Sequence, residues 1–174
     1  MTPTSAPLPA VRLVLLGPDP LQALVSGDLA AAATAAGVAL PADFLADTWL
    51  WTLRLGQMIG EPACTPWLVR GIVAEPEGVV VGHAGFHGPP DEQGMVEIGY
   101  RVVAAHRGRG YARAAVTELL SYARQHGAQV ARASVRPDNA PSLRIIEAFG
   151  FEAVGDQIDE YDGEFELVFE RALT

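Results

Sequence analysis

Two parts of this 174-residue chain combine residue types and spacing in ways that can do chemistry. The first is Val102–Ala112, which reads Val-Val-Ala-Ala-His-Arg-Gly-Arg-Gly-Tyr-Ala. It joins a predicted strand ending at Val102 to a predicted helix from about Gly110 to His126. Gly108 and Gly110 let the backbone come close to a ligand. The helix N-terminus offers free N–H groups where the dipole favours negative charge. Arg107 and Arg109 add positive charge. That combination suits a phosphate or pyrophosphate. The second part is the segment from Asn139 to Phe151, at the next predicted helix.

Spacing alone leaves the loop open to a plainer reading, a glycine-rich turn with no ligand. One phosphate motif is excluded and another is weak. A P-loop closes on Gly-Lys-Ser/Thr, and all 12 basic residues here are Arg. A dinucleotide fingerprint needs a third small residue and an acid about 20 positions on, whereas Arg113 follows and Gln129 and Val130 stand further along.

A second motif narrows the choice. Asn139 to Phe151 reads Asn-Ala-Pro-Ser-Leu-Arg-Ile-Ile-Glu-Ala-Phe-Gly-Phe. Taken with Arg107–Ala112, it resembles the GNAT superfamily of N-acetyltransferases. Arg107-Gly108-Arg109-Gly110-Tyr111-Ala112 matches that superfamily's acetyl-CoA loop, and the second segment its Asn-containing helix ending in Gly-Phe. Glu97-Ile98-Gly99-Tyr100, with Asn139 and Ser142, is most similar to the branch that acetylates ribosomal-protein N-termini, the RimJ/RimL type. The specific likeness covers about Gly94 to Phe151.

The resemblance implies roles. Acetyl-CoA would lie where the strand bearing Glu97 and the strand Ala131–Val135 splay apart. Backbone N–H groups of Arg107, Gly108, Arg109, Gly110, Tyr111 and Ala112 would hold the pyrophosphate, and the backbone around Val102 would pair with the pantetheine arm. Arg107 and Arg109 would add charge-assisted bonds to the phosphates. An amine acceptor would attack the thioester directly, with Glu97, on the strand before the loop, as general base, against the alternative of a surface-strand Glu or an ion-pair partner. Many members carry a Tyr acid seven residues after the Asn; here Ile146 stands there. Ser142 would then donate to the departing thiolate, against the alternative of a helix-surface or capping role. Asn139 is expected to cap its helix and to touch the pantetheine arm. A homodimer is a common arrangement among such proteins. A different class remains open beside the enzyme, an acyl-CoA-binding sensor without turnover.

Elements must position these residues. Val11–Leu16 reads as a strand, and Asp19–Ser26 and Asp28–Ala36 as short helices. Asp43–Ile59 is apolar at helical spacing. Trp67–Ala74 and Val79–His87 read as strands around the turn Glu75–Gly78, followed by the strand Gly94–Val102. After the Gly110–His126 helix come a strand at Val130–Val135, a helix at Asn139–Ala148, and a strand pair around Asp162-Gly163. The expectation is one α/β (α+β) domain spanning 1–174, with a flexible 1–10. Its mixed, mostly antiparallel sheet would splay at the CoA-binding strands and carry flanking helices.

Composition sets outer bounds. Net charge is −9, so a nucleic-acid partner is not expected, and a cationic amine is. Eight acids and no base lie between Glu152 and Glu170 in the sense of the hairpin itself (Glu152, Asp156, Asp159, Glu160, Asp162, Glu164, Glu166, Glu170). They read as a solvated hairpin face or as a lure for the amine. No apolar run reaches membrane-spanning length, and no secretory signal is read at the start. Cys64 is the single cysteine, which fits a reducing cytoplasm, and it lacks the pattern of a covalent nucleophile. His83 and His87 share a strand face about 13 Å apart, too far for one metal, so no metal is expected. One of them lining the acceptor pocket is the alternative to a structural His, and His106 reads as loop decoration. Trp49, Trp51 and Met58 are expected in the core.

Overall fold

The computed structural model describes residues 7–174. Its elements in chain order are β1 (Val11–Leu15), α1 (Pro18–Val25), α2 (Leu29–Ala36), a 3-10 turn (Ala42–Ala46), α3 (Thr48–Gly60), a second 3-10 turn (Pro62–Trp67), β2 (Arg70–Ala74) and β3 (Val79–Phe86). Then follow β4 (Met95–Val102), α4 (Tyr111–Gln125), β5 (Val130–Val135), α5 (Ala140–Ala148), β6 (Glu152–Ile158) and β7 (Phe165–Ala172). The seven strands form one sheet in the order β1-β2-β3-β4-β5-β7-β6. The β1/β2, β2/β3, β5/β7 and β6/β7 pairs are antiparallel, whereas β4 and β5 are parallel. Parallel neighbours need a crossover, and α4 supplies it. This is the expected α/β class with an open, mostly antiparallel sheet. Among the described residues no helix is long and apolar enough to cross a membrane.

The chain groups into two compact units, one formed by residues up to Gly85 with Tyr100–Glu118, the other by Phe86–Gly99 with Leu119–Thr174. In the first, Leu21 and Leu24 of α1, Phe44, Trp51 and Met58 are buried with Leu68, Val69, Val73 and Val80 in one apolar cluster. Each such side chain contributes about 1.5–3 kcal/mol by leaving water. Trp51 also donates its indole N–H to the Phe44 carbonyl at 2.6 Å, so its polar edge is satisfied. In the second unit Val96, Ile98, Ala131, Ala133 and Val135 are buried, at the alternate positions a pleated strand dictates. Leu119, Ala123, Ile146 and Phe151 are buried there too.

Three sequence expectations are corrected. Asp43–Ile59 is not one helix: a 3-10 turn ends at Ala46, and α3 starts after Asp47, whose backbone leaves the helical region (φ −97°, ψ 31°). The physical reason is that the Asp47 carboxylate is held by other side chains, described below. Residues 67–69 precede β2 rather than belonging to it. Trp49 is 62% exposed, whereas Trp51 and Met58 are buried as expected. Of the expected flexible 1–10, residues 1–6 lie outside the described residues. Further on, the Ala10 carbonyl accepts from the Glu75 N–H at 3.0 Å.

The sheet has a point of tight approach at Gly82. Its register with β2 jumps from Ile72↔Gly82 to Val73↔Val80, leaving Val81 as the extra residue of a bulge. A Cβ on Gly82 would lie 2.1 Å from the Arg101 carbonyl oxygen, so only glycine fits.

Candidate active site

The glycine turn between β4 and α4 is formed by Gly108 and Gly110. Gly108 and Gly110 have φ of +75° and +86°, in the left-handed region that side-chain-bearing residues rarely adopt. The first bond of α4 runs from the Ala114 N–H to the Gly110 carbonyl, 3.0 Å. The N–H groups of Tyr111, Ala112 and Arg113 therefore precede the helical ladder and point out along the axis. A Cβ on Gly108 would meet nothing within 4 Å, so the turn is open on that side. A Cβ on Gly110 would instead press on Pro9 Cδ at 3.1 Å. Two polar atoms beside the loop, His106 Nδ1 and Arg113 Nε, are buried with no hydrogen-bond partner among the described residues. The open side of Gly108, the outward N–H groups and the unsatisfied polar atoms fit a phosphate-bearing group.

Arg107 has work inside the loop. Its Nε donates to the Val102 carbonyl at 3.0 Å, closing the turn that leads out of β4. That carbonyl is one the pantetheine arm was expected to share. Arg109 is exposed, and the Tyr111 ring meets the His106 ring edge-on at 6.3 Å.

Glu97 sits at the end of a ladder. Parallel pairing of β4 with β5 covers Met95↔Val130, Val96↔Ala131 and Glu97↔Arg132; β4 runs on to Val102 and β5 to Val135. The Glu97 side chain is mostly buried, at 17% exposure. Ser134 donates its hydroxyl to Glu97 Oε1 at 2.6 Å. Gln157 donates to Ser134 Oγ and to Glu166 Oε2, both at 3.1 Å. On the other side His87 Nδ1 lies 3.7 Å from Glu97 Oε2. Glu166 is pushed above the ordinary carboxylate range, first by burial and then by the charges of Asp159, Glu97 and Asp162, against the bond from Gln157. Ser134 and Gln157 were not singled out in the sequence. The only local signal was alternation: Arg132 and Ser134 are the polar positions of a strand whose other residues are apolar.

Asn139 caps α5, its side chain accepting from the Ser142 N–H at 3.2 Å. Ser142 lies in the first turn of that helix and is partly exposed. Ile146 is fully buried, so the position where many relatives carry a Tyr acid here serves packing. The acidic hairpin is partly neutralised from β5: Arg132 makes two bonds to Glu170 (3.0 and 2.6 Å), and Arg136 pairs with Asp162.

His83 belongs to a separate buried cluster. Its ring packs edge-on against Phe44 (5.6 Å) and Trp51 (5.1 Å). Its Nε2 lies 3.4 Å from Asp47 Oδ2, while Asp47 Oδ1 accepts from Arg101 Nη1 at 2.5 Å. Burial works to raise the Asp47 carboxyl, but the His83 imidazole and then the Arg101 guanidinium outweigh it and hold the group below its usual range. A lowered folded-state value means stability that is present above about pH 4 and is lost as acid protonates the native carboxylate. Asp47→Ala is expected to cost about 1–2 kcal/mol near pH 7, as loss of a charge-assisted hydrogen bond to a half-exposed partner does. Urea unfolding at several pH values checks this: the gap between wild type and variant should shrink below about pH 4. A gap independent of pH would show that the carboxylate charge contributes nothing.

Residues 28–152 match the model of the family described as "Acetyltransferase (GNAT) domain". The uncharacterized N-acetyltransferase YjdG of Bacillus subtilis is 38% identical over 82 residues, which is 46% of this chain and 48% of that protein. The chain thus spans about half the length of the curated relatives it matches. Among solved structures, a protein assigned to the GNAT acetyltransferase family from Bordetella pertussis aligns at TM-score 0.61 and 25% identity, covering 96% of this chain and 98% of that one. Mycobacterium smegmatis RimJ, solved with CoA-disulfide, aligns at 0.58 and 21% identity over 75% of this chain and 65% of its own. At that identity the likeness to RimJ is one of fold and does not select a branch. The matched span runs from the cap of α2 through the phosphate loop to the first residue of β6, and on that ground the chain belongs to the GNAT acetyltransferase family.

Proposed function

We propose that this protein transfers an acetyl group from acetyl-CoA to a primary amine by direct attack within a ternary complex. The observation that carries the reading is Glu97: a mostly buried carboxylate, bonded by Ser134, where the β4/β5 ladder stops. The amine nitrogen forms a bond to the thioester carbonyl carbon, the carbon–sulfur bond breaks, and CoA leaves as the thiolate. The amine's proton passes to Glu97, and the Ser142 hydroxyl donates a hydrogen bond to the departing thiolate, which takes its proton from solvent. Arg107, Gly108, Arg109, Gly110, Tyr111 and Ala112 bind the pyrophosphate, with Val102 and Asn139 along the pantetheine arm. The first acceptor class is the α-amine of a protein N-terminus, as in the ribosomal branch, and the second is a cationic small-molecule amine. Both suit the acidic β6–β7 hairpin. The reaction belongs in the cytoplasm, where acetyl-CoA is made available, and a homodimer is compatible with it.

Thiol release from acetyl-CoA in the presence of peptide α-amines, polyamines and aminoglycosides tests the proposal. Turnover that depends on one of these amines is expected. Tight CoA binding with no acetylation across the panel would favour the acyl-CoA sensor, a reading for which buried Ile146 in the Tyr position speaks. The cradle has its own test. Gly108→Ala forces a side chain into a left-handed backbone, at about 1–2 kcal/mol of local strain. Calorimetric titration should show CoA binding weakened about tenfold, the equivalent of about 1.4 kcal/mol. Unchanged binding would remove the loop from the donor site.

A further inference from the structure

Resting on the reading of Glu97 as the base, we propose that Ser134 and Gln157 are positioning residues that orient the Glu97 carboxylate, with one oxygen committed and the other turned to the acceptor. The argument is a count of donors. Gln157 Nε2 reaches both Ser134 Oγ and Glu166 Oε2 at 3.1 Å, and an amide nitrogen carries two hydrogens and accepts none. Ser134 has one hydrogen, which Gln157 cannot receive, so it goes to Glu97 Oε1 at 2.6 Å. Glu166 sets the sense of the amide, because the opposite orientation would turn the amide oxygen toward a carboxylate. The chain therefore has one polarity, from Glu166 on β7 through Gln157 on β6 and Ser134 on β5 to Glu97 on β4.

Oε1 is committed to Ser134, and Oε2, 3.7 Å from His87 Nδ1, is left to take the amine's proton. Ser134 cannot pass that proton further, since Gln157 offers it a donor. The arrangement orients the base and does not relay through it. The other charged groups near this chain are His87 beside Glu97, Asp159 and Asp162 acting on Glu166, and the Arg132–Glu170 pair two residues along β5 from Ser134.

The test is kcat and the KM for acetyl-CoA in Ser134→Ala, Ser134→Thr and Gln157→Glu, beside Glu97→Gln, each checked for an unchanged thermal melt. Without its donor, the Glu97 carboxylate is no longer held in one orientation. The kcat of Ser134→Ala should fall about tenfold. The KM for acetyl-CoA should not change. Ser134→Thr keeps the hydroxyl and should restore the wild-type kcat. Gln157→Glu offers Ser134 an acceptor that competes for its proton, so its kcat should fall as that of Ser134→Ala does. If Glu97→Gln is inactive while Ser134→Ala and Gln157→Glu keep the wild-type kcat, the positioning roles are refuted and the base stands. If Glu97→Gln retains wild-type kcat, the base reading fails and the positioning roles fail with it.

Discussion

Glu97→Gln is expected to lower kcat by about 10²–10⁴, the usual worth of a positioned general base. The substitution keeps the side-chain size and still lets Ser134 donate to the amide oxygen, so the hydrogen-bonded chain from Gln157 survives. What it removes is the capacity to take a proton from the attacking amine. The KM for acetyl-CoA should stay within about twofold of wild type, because the proposed donor cradle is Arg107–Ala112, away from Glu97. Loss confined to kcat marks an interaction made only in the transition state. Raising the pH should recover part of the rate, as more of the acceptor amine arrives already deprotonated. A variant with raised KM and unchanged kcat would make Glu97 a binding residue for the acceptor instead.

Gly82→Ala is expected to produce the largest loss of stability of any single methyl addition in β3. The added Cβ would lie 2.1 Å from the Arg101 carbonyl oxygen and 2.9 Å from the Val102 Cα, both backbone atoms that cannot swing aside. Overpacking commonly costs about 1–3 kcal/mol where side chains can yield, and here the strand itself must move. A loss of about 3 kcal/mol or more in urea unfolding is the expected result. The effect should reach CoA binding too, because Arg101 and Val102 lead directly into the phosphate loop. Gly56→Ala serves as the comparison: it lies on the exposed side of α3 with nothing within 4 Å, and should gain about 0.5–1 kcal/mol from helix propensity. If Gly82→Ala were as stable as wild type, the tight approach of β3 and β4 would be wrong.

How much was legible in the sequence follows the range of the interactions. The glycine turn before α4 was readable because everything it needs is local: two glycines, a strand before and a helix after. Caps were readable for the same reason, as the Asp28 bond to the Ala31 N–H and the Asn139 bond to the Ser142 N–H show. The break at Asp47 was hidden. Apolar residues keep helical spacing across it, and what interrupts the helix is a carboxylate engaged by Arg101, 54 residues away. Trp49 followed the helical pattern of its neighbours yet faces water, because the 3-10 turn resets the phase of α3. The surroundings of Glu97 were hidden most completely. Its bond from Ser134 spans 37 residues and the Gln157–Ser134 bond spans 23, so four strands must pair in register before the chain of donors exists. Local patterns placed Glu97 on the right strand and left its partners unseen.

The central claim is direct transfer of the acetyl group to an amine, with no acyl-protein formed on the way. A single-turnover experiment tests it most directly. The protein, in excess over acetyl-CoA, is followed for thiol release first without and then with an accepted amine, and its intact mass is measured in both. The account predicts no thiol release and no mass gain until the amine is added, then acetylated amine and free CoA in equal amounts. Release of CoA before the amine arrives, with an acetylated protein in the mass spectrum, would contradict it.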